Sequence, residues 1–533
     1  MPRYELASGG SIRFFALDLL GKSLTTTVGK FGSPGRKTTK TFDSAKQAKQ
    51  AAEALVAKKH SQGYALVDDS GARHGARYFE FVAGKSNKFW EVLHEGSTLE
   101  IRYGKIGAKG RLTVKRFDSE GAAKLERDKL ITQKKNKGYT ERRVSTSLVE
   151  DARNPDLEAA IFADPEDDDA YAVLADWLEG EGDPRGKLIS LELAGKTKQA
   201  RAWYQKHIGS FLGALEDHEV VRESRWNSSV SSLRTTAQDK AWSKTQKQAF
   251  LWRRGYIHRL RLNHDYSVEW EGKSAEALAE ILAHPSGRFI VEFSFNENGK
   301  PGRDLQDIID VLAKQAPAST RKITFGDNVD QVSWHRTGNL AKLWKGVPSL
   351  RVIEVDSGAF ELGKIVAPSL ERAIFRTGQL SASSARAIAR AKIPAIQHLE
   401  IYCGSSEYGS TVKLEDLRPL LKRDDLPHLR YLGIEATEFS DDLVRALANA
   451  KILAGLETLD LSKGILTDAG AETLAAIGPS LAHLECLDLS DNWLTKRGIA
   501  AVQGLCKRVV TKWQNELDDD DDDERGYYVS VGE

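Results

Sequence analysis

The chain has 533 residues, 77 Lys+Arg against 76 Asp+Glu, 41% hydrophobic and 29% charged residues, and three cysteines. That length exceeds one compact core and predicts three or four domains, while the composition excludes a disordered or fibrous chain. Cys403, Cys486 and Cys506 form no CxxC pair, which argues against a disulfide framework or a cysteine zinc site and fits a reducing cytoplasm. The residues after Met1 lack an apolar leader and no run is apolar enough to span a bilayer, so neither secretion nor a membrane partner is expected. The net charge of +1 conceals a division, because residues 1–143 hold roughly twice as many basic as acidic residues and the remainder is acidic. Such asymmetry suggests a polyanion partner for the basic head, or docking of one half on the other.

The head reads as a duplication. Thr25-Thr-Thr-Val-Gly-Lys-Phe-Gly32, Thr38-Thr-Lys-Thr-Phe42, an Ala/Lys-rich stretch and Gly63-Tyr64 are echoed by Leu99-Glu-Ile-Arg-Tyr-Gly-Lys-Ile-Gly107, Thr113-Val-Lys-Arg-Phe117, a charged stretch and Gly138-Tyr139. Phe89-Trp90-Glu-Val92 supplies an earlier strand, matched weakly by Phe14-Phe15-Ala-Leu17. Alternation followed by helical spacing predicts a small antiparallel sheet and one helix in each copy, over residues 1–67 and 74–143. Each copy resembles a WGR domain, with the Trp-Gly-Arg signature replaced by Val28-Gly29-Lys30 and Tyr103-Gly104-Lys105.

The resemblance implies contact of the signature aromatic with a nucleotide and of the basic residue with phosphate. Tyr103 retains a ring that can stack and Lys105 a point charge, whereas Val28 retains neither, so the second copy is the better nucleic-acid candidate. Its candidate contacts are Arg102, Tyr103, Lys105, Lys109, Arg111, Lys115, Arg116, Lys134, Lys135 and Lys137. They would give salt-sensitive binding of DNA or RNA without sequence readout.

Residues 148–193 turn acidic and helical. Pro155 to Phe162 reads as one helix, and Asp164-Pro-Glu-Asp-Asp-Asp169 opens another with Asp164 as cap and Pro165 in the first turn. The same acids lack the ligand order of an EF-hand, and no metal is expected. Ala175-Asp-Trp-Leu-Glu and Gly182-Asp-Pro-Arg185 resemble a short bacterial repeat-companion domain, which implies that this piece seals the start of a repeat array through a buried Trp177 and a paired Arg185. Residues 194–254 form a Trp-rich connector whose tryptophans serve packing.

Residues 255–515 repeat an apolar-x-x-apolar-x-apolar strand. Its middle apolar position falls at Leu260, Phe293, Ile323, Ile353, Ala373, Leu399, Leu432, Leu459 and Leu487, a period that means a solenoid. Leu456-Glu-Thr-Leu-Asp-Leu-Ser and Leu484-Glu-Cys-Leu-Asp-Leu-Ser-Asp-Asn492 resemble ribonuclease-inhibitor-like leucine-rich repeats. The residue after each middle position, from Arg261 to Asp488, should line a concave face that grades from basic to acidic. His398, Glu400, Tyr402, Tyr431, Thr458, Asp460, Asp488 and Ser490 are the candidate protein-binding residues, for a basic partner. Val509 to Trp513 reads as a capping strand, and residues 516–533 are an acidic tail with aspartates at 518–523, which either docks or occupies the basic head.

The fold class expected is therefore multidomain α/β: two small α+β domains, a helical connector and an α/β solenoid. No nucleophile–base spacing, phosphate loop or cofactor motif emerges, so the chain reads as a non-enzymatic, bacterial, cytoplasmic adaptor that binds protein on its array. The alternative is a DNA-binding regulator modulated by its tail.

Overall fold

The computed structural model describes residues 3–8, 11–20, 22–30, 35–62, 64–67, 76–83, 86–106, 110–142, 152–211, 215, 250–264, 273–297, 304–326, 336–516 and 527–529. The chain divides into two compact units, residues 1–150 and 151–533.

The first unit holds two five-stranded antiparallel sheets, each with one helix. The first has β1 (Arg3–Ser8), β2 (Ser11–Leu20), β3 (Ser23–Lys30), β4 (Arg36–Thr41), α1 (Ala45–Ser61) and β5 (Ala65–Val67), in the order β4-β3-β2-β1-β5. The second has β6 (Ala76–Ala83), β7 (Ser86–Glu95), β8 (Thr98–Lys105), β9 (Arg111–Arg116), α2 (Glu120–Asn136) and β10 (Thr140–Arg142), in the order β10-β6-β7-β8-β9. From β2 onward every element of the first copy recurs with the same bounds displaced by 75 residues, as Ser11–Leu20 does in Ser86–Glu95.

The offset extends to side chains. The cores are Tyr4, Phe15, Leu17, Leu24 and Tyr64 in one copy and Phe79, Trp90, Val92, Leu99 and Tyr139 in the other. Ser44 and Ser119 each cap their helix, accepting the N–H of Gln47 at 3.2 Å and of Ala122 at 3.2 Å. Gly35 and Gly110 both turn at φ +69, and a Cβ there would lie 2.7 Å from the Phe14 ring and 2.5 Å from the Phe89 ring. Only glycine allows that turn beneath the ring. The closing strands β5 and β10, which pair back onto β1 and β6, were beyond the sequence pattern because they are three residues long.

The second unit begins with α3 (Pro155–Ala163), α4 (Asp168–Glu181), α5 (Pro184–Leu193) and α6 (Thr197–Lys206). Its second helix starts later than expected: Asp167 caps α4 by accepting from Asp169 and Ala170, and Asp164 instead ends α3 and accepts the Glu166 N–H in the intervening turn. Buried arginines join these helices to the strands that follow. Arg185 donates to Asp183 at 3.3 Å and to the Ser286 hydroxyl at 2.7 Å. Arg254 donates to Asp168 and to the carbonyls of Pro165 and Glu166, and Arg288 to Glu158. Trp177 is half-buried at the margin of this core, not enclosed by it. Trp203 and Trp252 are packing residues, the former donating to the Pro184 carbonyl at 2.9 Å. Trp226 and Trp242 lie outside the described residues.

Then come β11 (Phe250–Arg253), β12 (Tyr256–His264), β13 (Glu292–Glu297), β14 (Lys322–Phe325), β15 (Arg336–Asn339), β16 (Val352–Asp356), β17 (Ala359–Glu361), β18 (Arg372–Arg376), β19 (His398–Tyr402), β20 (Tyr431–Glu435), β21 (Thr458–Asp460), β22 (Cys486–Asp488) and β23 (Val509–Val510). All but β15 and β17, which pair with each other, form one eleven-stranded sheet, parallel from β12 to β23. The register pairs Leu260, Phe293, Ile323, Ile353, Ala373, Leu399, Leu432, Leu459 and Leu487 in one unbroken row. One continuous apolar core, from Leu215 and Phe250 to Val502, runs along it. Between β16 and β18 no helix forms, since the 20-residue step is too short for one, and β17 takes its place.

Two local features mark the last repeats. Ala436, Lys463, Asp491 and Trp513 all adopt positive φ, each four residues beyond a row position, so the chain leaves successive strands by the same left-handed turn. Each costs about 1 kcal/mol in a non-glycine residue. Asn492 is fully buried, donating to the carbonyls of Leu461, Leu489 and Ser490 at 2.9, 3.1 and 3.2 Å and accepting from the Leu466 N–H at 2.9 Å.

Candidate binding surfaces

In the second head domain the strand register sorts the expected contacts onto two faces. Tyr103 stands opposite Trp90 on β7 and Arg111 on β9, and Lys105 lies two residues further on the same face, opposite Lys88. Tyr103 is 39% exposed, and Lys105 and Arg111 are also exposed. From the helix, Lys134 reaches over the Trp90 ring at 5.5 Å and the Tyr139 ring at 4.9 Å. Burial first, then repulsion from Lys137 and Lys88, holds the Lys134 ammonium below the ordinary lysine range. An exposed tyrosine is thus bordered by crowded ammonium groups, an arrangement that an anion relieves.

The remaining residues separate from this patch. Arg102 is a correction: it faces the other side of the sheet, is 3% exposed, donates to the buried Glu91 carboxylate at 2.8 Å and lies over the Phe89 ring, because an arginine between buried partners cannot reach a phosphate in solvent. Lys115 is paired with Glu126 on α2 at 2.8 Å. Arg116 is exposed but opposite Thr98, on the Arg102 side. Lys135 and Lys137 are exposed at the helix end, and Lys109 lies outside the described residues. Lys88 was missed; counting alternate residues back from Trp90 and pairing the hairpin would have found it. The first copy repeats the framework with Arg13, Lys30, Arg36 and Lys59, the last over the Phe15 and Tyr64 rings, but presents Val28 for Tyr103 and Gln62 for Lys137.

On the array, Arg261, Ser294, Thr324, Glu354, Ile374, Glu400, Gly433, Asp460 and Asp488 form one cross-strand row. Much of it is buried and internally neutralised. Arg261 and Ile374 are buried, and Glu354 pairs with Lys322 at 2.9 Å. Glu400 is 6% exposed, bound by Arg376 at 2.7 Å and lying 3.3 Å from His398. Burial opposes its charge, but His398 and Arg376 outweigh burial and keep the carboxyl below the usual range. Tyr402 is 7% exposed, beneath Lys463 at 5.0 Å, and Ser490 is buried. These three cannot offer free groups to a partner. His398 stacks on Tyr431 at 3.9 Å, and the Tyr431 hydroxyl donates to Asp460 at 2.8 Å.

Asp460 and Asp488 each accept the N–H of the serine two residues on, at 3.0 and 2.9 Å. Among the described residues neither has a cation within ion-pairing distance. Thr458, Asp460 and Asp488 are half-exposed, so the uncompensated acidity of the row is confined to its last two repeats.

Behind them, Glu435 is 2% exposed and bound to Lys463 at 2.7 Å. Burial, then the Asp460 and Glu400 charges, pushes Glu435 up to about 8. Burial also raises the thiol of the fully enclosed Cys403 well above its ordinary range. Among the described residues no group of His, Cys, Asp and Glu has the arrangement of a metal site, and no helix is long and apolar enough to cross a membrane.

The duplicated sheet-and-helix unit, with its glycine turn under an aromatic ring, is matched over residues 4–71 and 75–146. Both copies match the WGR domain family. A leucine-rich repeat matches residues 480–502, around β22 and Asn492. An uncharacterized Escherichia coli protein, YfeS, is 47% identical over 57 residues, which is 11% of this chain and 23% of that protein. The E. coli protein YehF is 40% identical over 72 residues, 14% and 26% of the two chains. Mouse NLRC5 is 34% identical over 98 residues, 17% of this chain and 5% of that one. The chain thus spans about a quarter or less of the curated relatives it matches. A crystal structure of a Bacteroides fragilis protein aligns with 86% of this chain and all of its own at 21% identity and a TM-score of 0.43. WGR domains and a leucine-rich repeat are compatible with a binding or adaptor role.

Proposed function

We propose that the protein is a non-enzymatic adaptor of the cytoplasm: the second WGR domain contacts a nucleic acid, and the leucine-rich repeat solenoid holds a basic protein segment at its acidic end. The observation that carries the first half is the exposed Tyr103 paired across the hairpin with Trp90, with Lys88 and Lys105 opposite each other two residues along and Lys134, which feels the charges of Lys137 and Lys88, over the Trp90 ring. Ammonium groups set this way bind the backbone irrespective of sequence, and the ring offers a stacking platform for one base. The second half rests on Asp460 and Asp488, which are half-exposed and, among the described residues, have no cation within ion-pairing distance. Three unpaired cysteines suit a reducing compartment.

The test is fluorescence anisotropy with single-stranded and duplex DNA and RNA on the whole chain. Tyr103→Ala weakens single-strand binding by about 1–3 kcal/mol, the worth of one stacked base, while Val28→Ala leaves it unchanged. Equal effects of the two substitutions would remove the assignment to the second domain.

A further inference from the structure

Beyond the aspartate run, residues 527–529 lie against the array itself. Val529 is 6% exposed and packs on Tyr402 and Ala436, with Ile465 alongside. The Trp493 indole N–H donates to the Tyr528 carbonyl at 3.0 Å, and the Trp493 ring meets those of Tyr527 and Tyr528 edge-on, at 5.1 Å each. Trp493 is itself buried, whereas Tyr527 and Tyr528 stay half-exposed. Of the two alternatives for the tail, docking or occupying the basic head, the described residues 527–529 take the first and dock on the array. The aspartates at 518–523 lie outside the described residues.

The contact has the parts of a peptide site. One indole reads a backbone carbonyl, which any residue supplies. One apolar pocket, floored by Tyr402 and Ala436, takes an aliphatic side chain, and the Trp493 ring receives aromatic edges. Ala436 reaches the pocket because the left-handed turn at φ +52 brings the backbone out of β20 there. Lys463 lies over the Tyr402 ring at 5.0 Å and donates to Glu435, so the surface that Val529 itself covers is apolar.

We propose that this rim, Tyr402, Ala436, Ile465 and Trp493, is a docking groove for an extended aromatic–aromatic–aliphatic segment, and that residues 527–529 are its built-in occupant, which a competing segment of the same chemistry must displace. The ten intervening residues, 517–526, tether the occupant at an effective concentration on the order of millimolar. The groove is therefore closed to weak ligands and open to ones that exceed that competition. The inference rests on the adaptor reading only for the identity of the displacing ligand; the docking stands apart from it.

The experiment titrates a fluorescent peptide of residues 525–533 into the whole chain and into its Val529→Asp variant, whose own segment no longer fits the pocket. The variant should bind the peptide about tenfold more tightly than the unmodified chain, the ratio left by millimolar tethered competition against a ligand of about 0.1 mM affinity. A peptide carrying the same Val529→Asp change should bind neither protein. Adding Trp493→Ala to the variant should abolish binding, with unchanged circular dichroism showing that the array is intact; Tyr528→Pro, which leaves Trp493 in place, serves as a second opening variant. Equal peptide affinity for the unmodified chain and both opened variants, or no binding to any, overturns the proposal. Neither nucleic acid nor a basic partner enters this assay, so its failure leaves the adaptor reading standing and its success does not depend on it.

Discussion

Replacing Arg102 distinguishes a structural arginine from a nucleic-acid contact. The guanidinium is 3% exposed and its partner Glu91 is fully buried, 2.8 Å away. Arg102→Ala leaves the Glu91 carboxylate buried without its cation, which costs about 3–5 kcal/mol, whereas Arg102→Met with Glu91→Leu removes both charges and recovers most of that loss. A surface phosphate contact would behave in the opposite way, with stability changed by less than about 0.5 kcal/mol and binding reduced. Hydrogen exchange of peptides covering β7 and β8 in the whole chain reads the first effect locally. A loss of about 4 kcal/mol accelerates exchange by roughly a thousandfold where opening limits it. Native-like protection in Arg102→Ala, or a double variant no better than the single one, would refute the reasoning.

Asn492→Ala removes four hydrogen bonds from a fully buried site and strands the Leu466 N–H, so thermal or urea unfolding should report a loss of about 3 kcal/mol; a loss under 1 kcal/mol would mean that the loop re-forms without it. Glu435 is held up at about 8 when folded, against about 4.3 when unfolded. The folded state therefore binds the extra proton, and the stability linked to this group is full below the unfolded value and lost as pH rises through 8. Unfolding at pH 6 and 9 should show that decline, and Glu435→Gln should flatten it. Asp460→Lys with Asp488→Lys should cut the affinity of a lysine-rich peptide by tenfold or more in calorimetry, about 1.4 kcal/mol, and unchanged affinity would locate the acidic site elsewhere.

The sequence exposed most where a pattern repeats. Leu260 to Leu487 could be aligned by spacing alone because each strand must bury the same two positions, and the register row follows that alignment residue for residue. The head duplication was visible because Gly35 and Gly110, Phe42 and Phe117, and Tyr64 and Tyr139 hold one backbone geometry. What spacing cannot reveal is pairing across space. Arg102 looked like one more cation beside Tyr103, and only the strand face shows that it turns inward to Glu91. Glu400 looked like exposed acidity, yet Arg376, 24 positions earlier, neutralises it. The Trp493 contact with Tyr528 joins residues separated by the aspartate run; alternation at Tyr527 to Val531 made docking one expectation, but spacing names no receptor for it.

The most direct test of the binding account is the salt dependence of DNA affinity for the whole chain and for a variant with Lys88, Lys105 and Lys137 all changed to Ala. Each phosphate contact contributes a log–log slope of about −0.9 for a duplex. Binding through this patch predicts a slope shallower by about 2.7 in the variant, with folding unchanged because all three side chains lie outside the core. Equal slopes for the two proteins, or no salt dependence in either, would contradict the assignment of nucleic-acid contact to the second WGR domain.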